Sequence, residues 1–189
     1  MSTKRRGSRS SRRQTNGVLV GVGVALLVAV TGLIVTSGSG GGGGSGTTSV
    51  DAWDLPELDG EGRVRLADFD GKPVVVNFFA SWCTSCDFEL PGFRRVSSEL
   101  RGEVAFVGVA ALETGNPMTM PERHGITWWP LARDIGGRDG SGLHDALGGR
   151  GMPITAFYDA EGELVDFVGG ALDEDDLRER LRALYRVDV

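Results

Sequence analysis

Between Pro73 and Gly102 the hydrophobic period of the sequence changes once, and that change constrains the fold more than any other feature. Val74–Phe79 reads Val-Val-Val-Asn-Phe-Phe behind Gly71-Lys72-Pro73, a short run of β-branched and aromatic residues. Such a run predicts a strand covered on both faces. From Cys83 to Leu100, Leu90, Phe93, Val96 and Leu100 recur at helical spacing, with Gly102 just beyond the end. A second apolar run, Val104–Ala110, follows. Parallel strands need a crossover of about this length, so the segment predicts a βαβ unit.

Further on, Ile154–Tyr158 and Leu164–Val168 flank Asp159-Ala160-Glu161-Gly162, a hairpin signature. Asp173 then caps a last helix, with Asp176 three positions later and Leu177, Leu181 and Leu184 as its inner stripe. Leu112 to Gly151 is less regular. It holds short helical candidates at Pro121–His124 and Leu143–Leu147 and a short strand near Trp129–Leu131.

The amino-terminal segment has a different character. Val18–Val35 is an apolar run, and no charge lies between Arg13 and Asp51. This predicts a transmembrane helix over residues 17–36. Residues 1–16 hold six basic residues (Lys4, Arg5, Arg6, Arg9, Arg12, Arg13) and no acid, which predicts a cytoplasmic amino terminus and an exported remainder. A cleaved signal peptide is the rival, but the run is long for one and the Ser/Gly stretch after it matches a small-residue cleavage site poorly. No cysteine follows the run, which excludes a lipoprotein. The residues after Arg12-Arg13 do not suit a twin-arginine signal. Residues 37–49 form a Gly/Ser tether with an expected reach of about 20 Å. The expected location is therefore the cell membrane, single-pass, with an extracytoplasmic domain over residues 50–189.

The whole chain of 189 residues carries 20 basic and 26 acidic side chains. With six bases before residue 50, the domain keeps 14 against all 26 acids, a net charge of −12. So acidic a body is a poor nucleic-acid binder. The 30 glycines show no three-residue period, which excludes collagen.

The chemistry rests on Trp82-Cys83-Thr84-Ser85-Cys86, where the buried strand ends and the helix begins. Helix-terminal N–H groups and the helix dipole favour an anion there, which predicts a depressed thiol pKa at Cys83. Cys86, about one turn on, is placed to attack a mixed disulfide formed at Cys83. The expected arrangement is an exposed nucleophile, Cys83, and a more buried resolving thiol, Cys86. Two other readings stand beside it. A zinc site would need His124 and His144, whose spacing is wrong for zinc, and no metal is expected. An inert disulfide would close so short a loop that it removes little chain entropy.

The stretch Val74–Pro91, VVVNFFASWCTSCDFELP, resembles the thioredoxin superfamily, and within it the membrane-tethered TlpA/ResA/DsbE-like branch. Trp-Cys-x-x-Cys followed by Glu89 and Pro91 marks that branch, and the resemblance runs over roughly residues 50–187. It implies an α/β, thioredoxin-like fold: an amino-terminal β element, the βαβ core, an insertion, then hairpin and carboxy-terminal helix, with a central sheet flanked by helices.

The resemblance also implies site roles. Pro153, in Gly151-Met152-Pro153, takes the place of the family's cis-proline facing the dithiol, leaving the Met152 backbone to pair with an extended substrate. Glu89 matches an active-site glutamate that lies beneath Cys86 and exchanges a proton with it. Asn77 stands where ordinary thioredoxins carry a proton-accepting aspartate, which leaves that task to Glu89. Trp82 shields the disulfide and packs against a partner. Pro91 is structural and kinks its helix. Trp128 and Trp129 receive no function. Thr84-Ser85 departs from the proline found second in many relatives, so the direction of electron flow is not inherited.

The implied activity is an extracytoplasmic thiol–disulfide oxidoreductase whose only redox group is the Cys83/Cys86 pair, with no other cofactor. Its implied partners are exported proteins with thiols or disulfides and a membrane-embedded electron donor, as in cytochrome c maturation or a similar envelope pathway. A disulfide-forming oxidant, a non-catalytic adaptor or metallochaperone, and a thiol peroxidase are the alternatives.

Overall fold

The computed structural model describes residues 49–134 and 142–189. The amino-terminal stretch 1–16, the transmembrane helix expected at 17–36 and all but the last residue of the tether lie outside them. Among the described residues no helix is long and apolar enough to cross a membrane.

The chain opens with a small hairpin, β1 (Asp54–Pro56) against β2 (Arg63–Arg65), followed by a 3-10 turn at Leu66–Phe69. It continues through β3 (Val74–Phe79), α1 (Thr84–Glu99), β4 (Ala105–Ala110), α2 (Thr119–His124) and β5 (Leu131–Arg133). The last elements are α3 (Leu143–Ala146), β6 (Ile154–Tyr158), β7 (Leu164–Gly169) and α4 (Glu174–Tyr185). Five strands form one sheet in the order β5-β4-β3-β6-β7. β3, β4 and β5 run parallel, and β6 and β7 are antiparallel to their neighbours. This is a thioredoxin-like α/β architecture.

β3 is central and buried along its whole length, as its unbroken apolar run predicts. Strand alternation divides its side chains between two cores. Val74, Val76 and Phe78 pack with Trp53, Leu55 and Val64 of the amino-terminal hairpin and with Leu143. Val75 and Phe79 pack with Leu90, Phe93 and Val96 of α1 and with Leu177 and Leu181 of α4. Asn77 shares the second face and is the one polar residue in the strand. Each fully buried Val, Leu or Phe contributes about 1.5–3 kcal/mol, so the strand's burial fixes its position strongly.

α1 begins after Cys83, its N-cap, and runs through Pro91 as one sixteen-residue helix. The kink expected at Pro91 does not divide it. Gly92 lets α1 approach α4, since a Cβ there would lie 3.0 Å from Glu174 Cβ. Asp173 caps α4 by accepting the Asp176 N–H at 2.9 Å.

The short strand expected near Trp129–Leu131 lies at Leu131–Arg133. Trp129 instead points into the core, where its Nε1–H donates to Ser97 Oγ at 3.1 Å. Pro130 gives its carbonyl to the Gly108 N–H, which sets the parallel register one residue later. At the β6–β7 turn, the Asp159 carboxylate accepts the N–H groups of Glu161 and Glu163, and Gly162 takes a positive φ of 86°.

Candidate active site

β3 delivers the chain to the cysteines. After Phe79 the backbone turns through Ala80, and the Cys83 N–H donates to the Ala80 carbonyl at 3.0 Å. Cys83 then caps α1, and its Sγ accepts the Cys86 N–H at 3.1 Å. The two cysteines form a disulfide with Cα atoms 5.3 Å apart. The sulfur of Cys83 therefore sits on an otherwise unused N–H of the helix's first turn, a place that also suits a thiolate. The exposure expected of Cys83 is not found in this disulfide form. Cys83 is 3% exposed and Cys86 is fully buried. Both residues belong to the apolar cluster of Phe79, Ala80 and Leu90.

Register brings the proline loop to the same end of the sheet. Phe78 pairs with Ile154, so Phe79, the last residue of β3, stands opposite Pro153. The Met152–Pro153 peptide is cis. Pro153 is buried and its carbonyl accepts the Gly170 N–H at 2.9 Å. Met152 is half-buried and packs against the cluster that contains both cysteines.

Glu89, on the buried face of α1, is 2% exposed. Its Oε1 accepts from Asn77 Nδ2 at 2.7 Å and its Oε2 accepts from the Leu172 N–H at 2.9 Å. Burial pushes this carboxyl up to about 7, against the downward pull of the two hydrogen bonds. Asn77 Nδ2 also reaches Thr155 Oγ1 at 3.4 Å, while Asn77 Oδ1 has no hydrogen-bond partner among the described residues. The residues expected from the sequence thus form a disulfide, a cis-proline loop at the same end of the sheet, and a buried carboxyl–amide pair. The hydrogen bonds of Glu89 run to β3 and to the segment before α4.

Trp82 is half exposed, and its Nε1–H donates to the Leu112 carbonyl at 2.9 Å. Leu112 holds a positive φ of 51°. Next to it, Glu113 accepts from the Ser81 N–H at 2.7 Å, from Ser81 Oγ, and from the N–H groups of Thr114 and Gly115. Partial burial raises the Glu113 carboxyl, but these bonds outweigh it and hold the group below the usual glutamate range. Glu113 was not anticipated. Its one sequence signal is its place just past the end of a parallel strand, where α/β sites gather.

On the other side of α1's first turn, Asp87 pairs with Arg123 at 2.9 Å and with His124 Nε2 at 2.7 Å. Hydrogen bonds from Arg123 and His124 hold Asp87 below the usual aspartate range. The second histidine, His144, reaches the Gly151 carbonyl at 3.0 Å. Both histidines weighed as zinc ligands are engaged elsewhere. Among the described residues no group of three or more His, Cys, Asp or Glu side chains is placed to hold a metal ion.

A disulfide at the mouth of the helix that follows the central strand, set beside a cis-proline, defines a thioredoxin-fold dithiol–disulfide protein. The AhpC/TSA family model matches residues 48–170. The chain is 34% identical to a thiol:disulfide interchange protein DsbE of Pseudomonas fluorescens over 73% of its length and 74% of that protein. It is 26% identical to a thiol-disulfide oxidoreductase ResA of Geobacillus thermodenitrificans over 92% of its length and 98% of that protein. A crystal structure of a secreted Mycobacterium tuberculosis disulfide oxidoreductase, homologous to Escherichia coli DsbE, superposes with a TM-score of 0.60. That pair is 26% identical over 71% of this chain and 98% of the other. The chain belongs to the AhpC/TSA family, and it is a thiol–disulfide oxidoreductase of the DsbE/ResA type.

Proposed function

We propose that the protein reduces disulfides in exported proteins, held to the membrane by residues 17–36 with its domain on the extracytoplasmic side. The observation that carries this reading is the Cys83 sulfur on the Cys86 N–H at the start of α1. In the dithiol state that N–H stabilises a Cys83 thiolate. The thiolate attacks one sulfur of a client disulfide, forming a mixed disulfide and releasing the other client sulfur as a thiolate. Glu89 takes the Cys86 proton, and the Cys86 thiolate displaces the client's remaining sulfur. Two electrons pass to the client, which leaves as a dithiol, and Cys83–Cys86 becomes the disulfide. A membrane-embedded dithiol donor restores the pair, and no further cofactor takes part. Trp82, Met152 and the cis peptide at Pro153 bind the client segment. The secreted character of the Mycobacterium tuberculosis relative supports the location. The interchange activity named for the DsbE relative supports the chemistry. The envelope pathway served is cytochrome c maturation or a similar thiol pathway.

Cys86→Ala in the full-length chain, expressed in its native envelope, tests the cycle. It is expected to accumulate exported proteins disulfide-linked to Cys83. An adaptor would instead bind the same proteins after loss of both cysteines, and that result would overturn the proposal. Direction is read from the reduction potential: a value near about −270 mV supports reduction, whereas one near about −120 mV makes the protein an oxidant. Selective, rapid oxidation of Cys83 by peroxide would point instead to a thiol peroxidase.

A further inference from the structure

His144 is a buried imidazole outside the cycle described above. It lies on α3, its side chain is 4% exposed, and its ring meets Phe78 of β3 edge-on at 6.1 Å. Its Nε2 lies 3.0 Å from the Gly151 carbonyl oxygen. A carbonyl only accepts, so Nε2 carries the hydrogen. The backbone is stitched to the same residue, because the His144 carbonyl accepts the Gly149 N–H at 2.9 Å. The ring and loop are in close contact: a Cβ on Gly149 would lie 2.6 Å from both Cε1 and Nε2 of His144. α3 is itself tied down, since the His144 N–H donates to Asp134 Oδ2 at 2.7 Å.

The consequence lies in the next peptide. The cis bond is between Met152 and Pro153, so the Gly151–Met152 peptide is trans. In a trans peptide the C=O and N–H point in opposite directions. With the Gly151 carbonyl turned inward to a buried ring, the Met152 N–H is turned away from it. Among the described residues no backbone carbonyl accepts that N–H. We infer that His144 is a positioning residue for client recognition, fixing the Gly151–Met152 peptide so that the Met152 N–H pairs with an extended client strand. The inference rests on the oxidoreductase cycle proposed above and adds to it a residue that acts on client binding. Backbone pairing of this kind gives affinity for a strand and none for a small disulfide without a peptide backbone.

The test compares two disulfides with the reduced full-length chain: a short extended peptide whose single cysteine is linked to thionitrobenzoate, and hydroxyethyl disulfide. His144→Leu is expected to lower the ratio of peptide to hydroxyethyl disulfide rate constants about tenfold, chiefly through KM, as loss of one oriented hydrogen bond implies. His144→Gln, which keeps an N–H donor, is expected to restore most of the ratio. In the wild type, the Met152 amide is expected to exchange rapidly with solvent and to become protected in the peptide adduct trapped by Cys86→Ala. A ratio unmoved by Leu, a Gln variant no better than Leu, or a Met152 amide already protected before the peptide binds would each overturn the role of His144. A wild type inert toward both disulfides would overturn the oxidoreductase cycle, a separate failure.

Discussion

Replacing Glu89 by Gln removes the most perturbed carboxyl of the site, and its effect on stability follows from burial and linkage. The Glu89 carboxyl titrates at about 7 in the folded protein against an ordinary value of 4.5, chiefly because burial disfavours its charge. The folded state therefore keeps its proton longer than the unfolded state. The sign is fixed: this group's contribution is fully present below 4.5 and is lost as pH rises through 7. At about 1.4 kcal/mol per pH decade, the raised value costs about 1 kcal/mol at pH 5, where only the unfolded chain ionises, and about 3 kcal/mol at pH 8. Gln does not titrate, so its advantage over Glu is expected to grow by about 2 kcal/mol between those pH values. Any fixed difference in hydrogen bonding cancels from that slope. Such a difference exists, because Asn77 Nδ2 and the Leu172 N–H both donate to the carboxylate. A Gln amide fits both only if Asn77 turns and offers its unpartnered Oδ1. The assay is urea unfolding of the oxidised full-length protein and its Glu89→Gln variant at intervals from pH 5 to pH 8. Parallel stability curves across that range would refute the reasoning.

Asn77→Asp places a second carboxyl 2.7 Å from Glu89 Oε1, where the two cannot both ionise. A loss of about 3 kcal/mol at pH 8 is expected, with little loss at pH 4, in the same unfolding assay. Glu113→Ala strips the acceptors from the Ser81 N–H and hydroxyl. A stability loss of about 1–3 kcal/mol is expected, with faster amide exchange at Ser81, readable by NMR.

The fold was legible wherever the signal was local. β3, α1, β4, the β6–β7 hairpin and α4 follow from hydrophobic period, turn chemistry and a capping aspartate within a few residues of each element. β5 begins two residues beyond the position expected near Trp129–Leu131, because Trp129 and Pro130 are held outside the strand. Their actual partners, Ser97 and Gly108, are distant in sequence. The same limit governs the site. Cys83 and Cys86 announce themselves by spacing, and Pro153 and Glu89 became readable through resemblance. Glu113 on Ser81 and His124 on Asp87 are contacts between an irregular segment and the framework, and His144 on Gly151 is a contact within that segment. A single carboxylate or imidazole in such a segment carries no period to mark it. The burial of Cys83 has no local sequence signal, because the residues that cover it come from the wider apolar cluster around the disulfide.

Asn77 on β3 pairs with a carboxyl that stands on a helix rather than on the strand. A carboxylate on β3 would lie in the middle of a fully buried strand, on the face that α1 and α4 cover. On α1 the same group also reaches the Leu172 N–H, just ahead of α4. Its ionisation is thereby tied to the contact between the two helices. That contact is held at the surface by Arg178, which bridges Glu99 at 2.6 Å and Glu174 at 2.8 Å, and by Arg95 on Glu174. Pairs this close to solvent contribute little each, so the buried fit at Gly92 and the apolar stripe of Leu177 and Leu181 set the distance. Water admitted to Glu89 by a wider fit is expected to bring its carboxyl back toward the ordinary range, while a longer Leu172 bond acts in the opposite direction.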